Sequence, residues 1–260
     1  PRSRFHDEER DFHQTRSSHW DTLHDSQHKT GKYYHSYTQA IYKNLIPKGS
    51  SVLEIGSGSG DLLAALRPSR GMGVDFSQRA VERASKTYPK LSFALSEMGN
   101  FRSALPQNST FDFIILSDLV NDVWDVQSLF EEIAAISSTD TRIILNFHSH
   151  LWAGPLRAAQ KLGLMRQMIR PNWLTVSDIK NLMDLTGLET IKQWDEILIP
   201  IRIPILSKVA NRFLAKVWPI RYLDLSHFVV ARREIPRDVE LKEPSVTILI
   251  PARNEEGHID

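Results

Sequence analysis

The segment VLEIGSGSGDLLAAL, residues 52–66, contains an apolar strand, a glycine-rich turn and an apolar helix, in that order. Glycine adopts positive φ readily and lets the backbone approach a ligand closely. Backbone N–H groups at the beginning of the following helix are able to bind an anionic or polar group of that ligand. The segment therefore predicts a nucleotide-like cofactor at the end of the first strand of a β-sheet.

The spacing of the glycines separates two kinds of cofactor. Dinucleotide-binding loops have the pattern G-x-G-x-x-G, whereas Gly56, Gly58 and Gly60 form G-x-G-x-G. Asp61 stands where the third fingerprint glycine belongs, and its side chain hinders close helix–strand packing and repels a pyrophosphate. The spacing therefore disfavours a nicotinamide-dependent oxidoreductase.

Two acidic residues accompany this loop. Glu54 precedes Gly56 by two residues, and Asp75 ends the second predicted strand in the segment GVDFS. A carboxylate at the end of that strand is able to accept two charge-assisted hydrogen bonds from ribose hydroxyls. The glycine loop and the two acids together favour a ligand that contains a nucleoside.

The chain from residue 51 onward alternates aliphatic runs with helical periodicity, which is typical of a parallel sheet with crossover helices. Helices are expected at about 78–88, with Ser77 as the N-cap, at 126–137 and at 176–186, where Thr175 and Asp178 form a capping box before Gly187. Strands are expected at 51–55, 72–76, 91–96, 111–116, 142–147, 188–199 and 223–232. The predicted fold class is α/β, a Rossmann-like, doubly wound, seven-stranded sheet that is mostly parallel with an antiparallel last strand.

The glycine loop and GVDFS together resemble the first two motifs of class I S-adenosylmethionine-dependent methyltransferases of the small-molecule type. The resemblance covers about residues 35–232 and implies that S-adenosyl-L-methionine is the cofactor. It implies that Glu54 and the loop face the methionine portion, that Asp75 holds the ribose with Phe76 beside the adenine, and that the turn after strand four passes beneath the sulfonium. Glu97, followed by Met98, is expected near the adenine amino group, and Tyr33 or Tyr34 is expected to contact the cofactor. The expected cofactor-binding residues are Tyr33, Glu54, Gly56, Ser57, Gly58, Gly60, Asp75, Phe76, Glu97, Met98, Ser117, Asp118 and Leu119.

The acceptor of the methyl group is less constrained by the sequence. His148 follows the fifth strand, where an imidazole is placed to take a proton from an acceptor hydroxyl. His150 is the near alternative, and for either histidine a polar residue capping the strand end is an equally good interpretation. Asn121 and Asp122 are further candidates for the acceptor side. The turn after strand four lacks the Asn/Asp-Pro-Pro-aromatic motif that the family uses for amino groups on bases and glutamine, which disfavours exocyclic nitrogen acceptors.

Composition excludes several classes of function. The chain has no cysteine, which rules out a cysteine nucleophile, and its formal net charge of +1 predicts no nucleic-acid partner. His24 and His28 have the i, i+4 spacing of metal ligands but no evident third ligand, so no metal is expected. No apolar run is long enough to span a membrane, and a cytoplasmic location is expected. Two other functions compete with the methyltransferase: a module that binds the cofactor without turnover, and the nicotinamide-dependent oxidoreductase that the glycine spacing disfavours.

Residues 204–218 have apolar side chains at helical spacing, with Lys208, Arg212 and Lys216 on the other side. We expect a helix packed on its own sheet through that apolar face. The alternative is a basic amphipathic surface that makes peripheral contact with membrane lipid.

Four segments are expected along the chain. Residues 1–35 are an N-terminal helical lead-in or lid, and residues 36–233 are the methyltransferase domain. Residues 234–244 are a charged, proline-bearing linker. The segment SVTILIPARNEEGHID, residues 245–260, resembles the start of family-two glycosyltransferases, which implies a truncated piece of a fused glycosyltransferase domain in a longer protein. A small molecule, glycan or glycolipid with an acceptor hydroxyl is accordingly the expected partner.

Overall fold

The computed structural model describes residues 31–96, 100–162 and 172–235, together with Phe12, Thr15 and Arg16. Within these residues the chain alternates strands with helices. The strands are β1 (Ser51–Ile55), β2 (Arg70–Asp75), β3 (Ser92–Leu95), β4 (Phe113–Ser117), β5 (Arg142–His148), β6 (Leu188–Glu196) and β7 (Ser226–Arg233). The α-helices are α1 (Lys32–Leu45), α2 (Asp61–Leu66), α3 (Gln78–Thr87), α4 (Val126–Ile136), α5 (Ala153–Lys161), α6 (Val176–Leu185) and α7 (Leu206–Arg212).

The strands form one seven-stranded sheet in the order β3-β2-β1-β4-β5-β7-β6. The pairs among β1 to β5 are parallel, whereas β7 runs antiparallel to both of its neighbours, β5 and β6. The strand order reverses between β1 and β4, so their carboxyl ends border a crevice of the kind that binds ligands in open α/β sheets. The predicted fold class is confirmed.

Local signals in the sequence account for the helix boundaries. Ser77 accepts a hydrogen bond from the Ala80 backbone N–H at the beginning of α3. Thr175 and Asp178 form the predicted capping box at the beginning of α6, and Gly187 after it has a φ of +74°. These side chains satisfy backbone groups that a helix end leaves without an intrahelical partner.

The core lies on both faces of the sheet, as expected for strands covered by helices on each side. One face carries Leu53, Ile114 and Leu116, which belong to the same apolar cluster as Phe130 and Ile133 of α4. The other face packs against α1 and α2, through the buried side chains Val52, Ile115, Ile144, Tyr42, Leu63 and Leu66. Burial on both faces holds the carboxyl ends of the central strands in fixed relative positions.

The expectation that residues 204–218 form a helix packed on the sheet through its apolar face is wrong. The segment is not one helix packed through its apolar face, because α7 ends at Arg212 and is followed by 3₁₀ turns at Leu214–Lys216 and Ile220–Leu223. Small or polar side chains, Ser207, Ala210 and Asn211, are the buried ones in α7. Most of the large apolar side chains point outward. Within the described ranges, no helix combines the length and apolar character that crossing a bilayer requires.

Candidate active site

A cavity of about 690 Å³ opens at the carboxyl end of the sheet, between α1 and the central strands. Its size lies in the range of pockets that bind small ligands and cofactors. Nine of the thirteen predicted cofactor-binding residues line it: Glu54, Gly56, Ser57, Gly58, Asp75, Phe76, Ser117, Asp118 and Leu119. The fold thus brings segments from β1, β2 and β4 to one place.

The shape of the glycine loop depends on two of its glycines. Gly56 has a φ of +73°, and a Cβ there would lie 2.8 Å from Leu119 Cδ1. Gly60 has a φ of +76°, and a Cβ there would lie 2.6 Å from Phe93 Cζ. A side chain at either position would therefore face both an unfavourable backbone conformation and a steric overlap. Gly60 does not line the cavity. Its role is to give the loop its backbone conformation.

Glu54 places a buried carboxyl group in the cavity wall. Only 3% of its surface is exposed, and its Oε2 accepts a hydrogen bond from the Leu63 backbone N–H at 3.1 Å. Burial raises the pKa of Glu54 to about 8, with the neighbouring Asp75 and Asp61 charges acting in the same direction and the Leu63 hydrogen bond acting against them. A cationic ligand in the cavity would favour the ionised form, and S-adenosylmethionine carries such a charge on its sulfonium.

Asp75 connects the glycine loop to the beginning of α3. Its Oδ2 accepts a hydrogen bond from the Gly58 N–H at 2.8 Å, and its Oδ1 accepts one from the Ser77 N–H at 2.9 Å. Asp75 also lines the cavity, and a carboxylate is able to accept several hydrogen bonds at once. Asp75 therefore fits a nucleoside and also holds the loop that surrounds it.

A buried hydrogen-bond network underlies the cavity near the end of β4. The Oδ1 atom of Asp118 accepts hydrogen bonds from the Tyr34 hydroxyl at 2.7 Å and from the Asn146 amide at 2.6 Å. The Tyr42 hydroxyl donates in turn to Asn146 Oδ1 at 2.8 Å. Asp118 has a φ of +56°, uncommon for a residue other than glycine. The network fixes the orientation of a carboxylate that lines the cavity.

Sequence reasoning missed Tyr42 and Asn146 in this network. The available signal was Asn146, a polar residue inside the apolar run IILNFH and fully buried in the structure. Buried amides require hydrogen-bond partners, so Asn146 indicated a polar contact. The partner lies 104 residues away in sequence, and nothing in the sequence identified it.

His148 lies next to this network, at the end of β5. Its Nε2 is 3.9 Å from Asp118 Oδ1, and its ring stacks on that of Tyr34 at a centroid distance of 5.6 Å. The His148 backbone N–H donates to Asn121 Oδ1 at 2.9 Å. His150, the alternative candidate, is exposed at the beginning of a 3₁₀ turn. The structure thus places His148, rather than His150, beside a cavity-lining carboxylate.

Asp122 is another titratable residue near His148, and it lines the cavity. Burial raises its pKa to about 6, while the charges of Arg16 and His148 act in the opposite direction. The Arg16 Nε atom lies 3.7 Å from Asp122 Oδ1. A carboxyl group poised near neutral pH beside an imidazole is a suitable arrangement for proton transfer.

The remaining predicted residues have different outcomes. Tyr33 is not among the residues that line the cavity, and its hydroxyl accepts a hydrogen bond from the Asn211 amide at 3.3 Å. Tyr34 is buried and reaches the site through Asp118. Glu97 and Met98 lie outside the described residues, as do His24 and His28. The described ranges contain no cluster of three or more residues able to hold a metal ion.

Comparison with known proteins agrees with this geometry. The family model described as a methyltransferase domain matches residues 26–193, and no curated protein is significantly similar in sequence. The chain therefore belongs to the methyltransferase-domain family. It is an enzyme, and it uses S-adenosylmethionine, the methyl donor of this family. These findings confirm the predicted S-adenosylmethionine-dependent methyltransferase and its cofactor, and they count against the oxidoreductase.

Solved structures share the fold at low sequence identity. A chain from the complex of the Haloferax volcanii Trm112 methyltransferase activator with a methyltransferase is 18% identical, with a TM-score of 0.62, covering 83% of this chain and 98% of that one. An S-adenosylmethionine-dependent methyltransferase of Mesorhizobium loti is 17% identical, with a TM-score of 0.57, covering 75% and 96%. Magnesium protoporphyrin IX methyltransferase of Synechocystis PCC 6803, solved with S-adenosylhomocysteine, is 16% identical, with a TM-score of 0.55, covering 87% and 97%.

Proposed function

We propose that this methyltransferase acts on a hydroxyl group and that His148 removes the hydroxyl proton. The observation that supports the proposal is the position of the His148 imidazole, 3.9 Å from a carboxylate oxygen of Asp118 that lines the cavity. An imidazole is able to accept a proton, and a fixed carboxylate beside it stabilises the resulting imidazolium.

The residues divide the work as follows. Glu54, Asp75 and the glycine loop would hold S-adenosylmethionine, which would supply the methyl group and leave as S-adenosylhomocysteine. Asp118, held by Tyr34 and Asn146, stabilises the protonated imidazole of His148. Because the displacement is in line, alignment of the acceptor provides much of the rate enhancement. Asp122, which lines the cavity, would bind the acceptor. The buried Asn121 side chain instead accepts the His148 N–H and donates to the Asn172 carbonyl, so it would hold His148 in position.

His148→Gln tests the assignment of the base. We expect the substitution to lower kcat by about 10²- to 10⁴-fold, the usual contribution of general-base catalysis, and to leave the dissociation constant of S-adenosylmethionine nearly unchanged. The exposed His150→Gln is the matched control and should retain full activity. An equal loss of turnover and of cofactor affinity in the His148 variant would instead indicate a structural role.

The acceptor class can be tested with radiolabelled methyl donor and a cell lysate. A methyl ether on a hydroxyl survives mild alkali, whereas a methyl ester is hydrolysed and releases labelled methanol. We expect alkali-stable label in the product. Release of the label by mild alkali would identify a carboxyl acceptor and contradict the proposal.

We further propose that the hydroxyl belongs to a glycan or glycolipid. The support is the resemblance of residues 245–260 to the start of a family-two glycosyltransferase, which would join the two transfer reactions in one longer protein. These residues lie outside the described part of the chain. Chromatography of the labelled product before and after glycosidase digestion tests the idea, since a label on a small non-glycan molecule would contradict it.

A further inference from the structure

The segment between β6 and β7 presents an apolar and basic surface. We define the 201–223 surface as the exposed side chains of residues 201–223. It contains eleven of the sixteen exposed large hydrophobic residues found in the described part of the chain, with Ile205, Trp218 and Phe213 exposed by 82%, 71% and 59%. Clusters of this kind mark interaction sites rather than ordinary solvent-facing surface.

The charges of this segment all have one sign. Five cations lie between Glu196 and Asp224, and no acidic residue does. They are Arg202, Lys208, Arg212, Lys216 and Arg221, and all five are exposed. The chain as a whole has a formal net charge of +1, so this positive charge is a local feature of the segment.

The outward orientation of the apolar side chains follows from how the segment is attached. The Asn211 side chain accepts the Ile199 N–H at 2.8 Å and donates to the Ile199 carbonyl at 2.9 Å. Ser207 likewise binds the backbone of residues 201 and 203, and Ala210 and Ala215 fill the buried side. Soluble helices normally bury their apolar face, whereas here small and polar residues make the attachment and leave that face outside.

The topology places the 201–223 surface near the edge of the sheet where the cavity opens. The segment begins after Glu196, the last residue of β6, and ends before Ser226, which pairs with His148 at the end of β5. Both strand ends lie at the carboxyl edge of the sheet, where the cavity opens. Asn211 also contacts Tyr33 and Tyr37 of α1, the helix that forms one wall of the cavity.

We propose that the 201–223 surface binds the anionic surface of a lipid bilayer. Exposed aromatic and aliphatic side chains enter the boundary between headgroups and acyl chains, and neighbouring lysines and arginines pair with anionic headgroups. A second copy of the chain is a poorer occupant, because it would bring the cations of one surface against those of the other. Lys216 pairs with Glu196 just outside the surface, and the surface itself contains no acidic residue. Bilayer binding would hold the cavity edge next to the membrane. The proposal does not depend on which group accepts the methyl.

Co-sedimentation with lipid vesicles tests this proposal on the 260-residue chain. We expect the protein to sediment with phosphatidylcholine vesicles that contain phosphatidylglycerol, and much less with phosphatidylcholine alone. Added salt should weaken the binding by screening. Lys208→Gln combined with Arg212→Gln should lower the partition coefficient about 30-fold. Phe213→Ser combined with Trp218→Ser should lower it by more than about tenfold.

The control is a variant with equally exposed residues on other faces, Leu185→Ser combined with Lys86→Gln, which should bind vesicles like the wild type. Unchanged S-adenosylmethionine affinity in every variant shows that the fold is intact. Three results would overturn the proposal. The first is that the protein does not sediment with anionic vesicles. The second is that the control variant loses as much vesicle binding as the test variants do. The third is that the protein does not bind vesicles and forms a concentration-dependent dimer that the Phe213 and Trp218 substitutions disrupt.

Discussion

Glu54→Gln provides the sharpest test of how the cavity recognises its cofactor. The wild-type carboxyl is buried and has its pKa raised to about 8, so near neutral pH about nine in ten molecules carry it protonated. Glutamine has nearly the same shape and keeps an oxygen that accepts the Leu63 N–H. The substitution therefore changes ionisation with little change in packing.

The expected effect on binding follows from proton linkage. A cationic ligand favours the ionised carboxylate and lowers the pKa of Glu54 in the complex. Affinity for S-adenosylmethionine should therefore rise with pH up to the pKa of the free protein, about 8, and then level off. If the pKa in the complex falls below neutral, the gain from neutral pH to this plateau is about tenfold. At pH values above about 8, the Glu54→Gln protein should bind S-adenosylmethionine more weakly than the wild type does. Its affinity should also lack the part of the pH dependence that comes from Glu54.

The raised pKa of Glu54 also predicts that its contribution to folding stability falls as the pH rises, whereas cofactor affinity increases with pH. The pKa of Glu54 rises from 4.5 in the unfolded chain to about 8 in the folded protein, so the unfolded state ionises first. The stability associated with the protonated group is complete below pH 4.5 and is lost as the pH rises toward 8. Near neutral pH the Glu54→Gln protein should be more stable than the wild type by roughly 3 kcal/mol, and at acidic pH the two should be equal.

Isothermal titration calorimetry across this pH range measures the binding effect, and chemical denaturation measures the stability effect. The difference between wild type and variant isolates Glu54, because titration of the ligand is common to both. Parallel pH profiles for the two proteins would show that Glu54 does not sense the cofactor charge. A variant less stable than the wild type at all pH values would show that the carboxyl is needed for folding.

Three further perturbations have expected outcomes. Asp75→Ala should weaken cofactor binding about 10- to 150-fold, as measured by calorimetry, and unchanged affinity would remove Asp75 from the site. Burial raises the pKa of Asp224 from 3.8 to about 7, and within the described residues neither of its oxygens has a hydrogen-bond partner. Asp224→Asn should therefore raise the Tm at pH values above 7 and leave it unchanged below 3.8; an identical Tm at all pH values would contradict the shift. Removal of residues 237–260 should leave both Tm and cofactor affinity unchanged, and a loss of several degrees would make that segment an integral part of the fold.

Features carried by neighbouring residues were predictable from the sequence. Alternating apolar runs located every strand to within a few residues, and Ser77, Thr175 and Gly187 marked helix ends because capping depends on side chains next to the cap. The glycine loop and Asp75 located one wall of the cavity. These signals are local, so a single sequence contains them in full.

Features that depend on the choice between two packing faces were not predictable. The periodicity of Val209, Phe213 and Val217 indicated an apolar stripe, but it did not say whether protein or another surface covers that stripe. The structure instead buries Ala210 and Asn211, because the Asn211 side chain binds the backbone of Ile199. This contact could not be inferred from the sequence. The contact of Tyr34 with Asp118, 84 residues apart, likewise depends on how α1 crosses the end of the sheet. Tertiary packing determines such contacts, and no local pattern encodes them.

The position of β7 has a consequence for the order in which the chain assembles. β7 follows β6 in sequence but lies between β5 and β6 in the sheet, pairing Ile143 with Ala231 and Trp194 with Phe228. During synthesis on the ribosome, β6 has no strand to join until residues 226–233 have emerged. The half of the sheet from β3 to β5 can form earlier, because each of its pairings uses strands already made. We therefore expect the β7 and β6 end of the sheet, which borders His148 and carries the 201–223 surface, to be completed last.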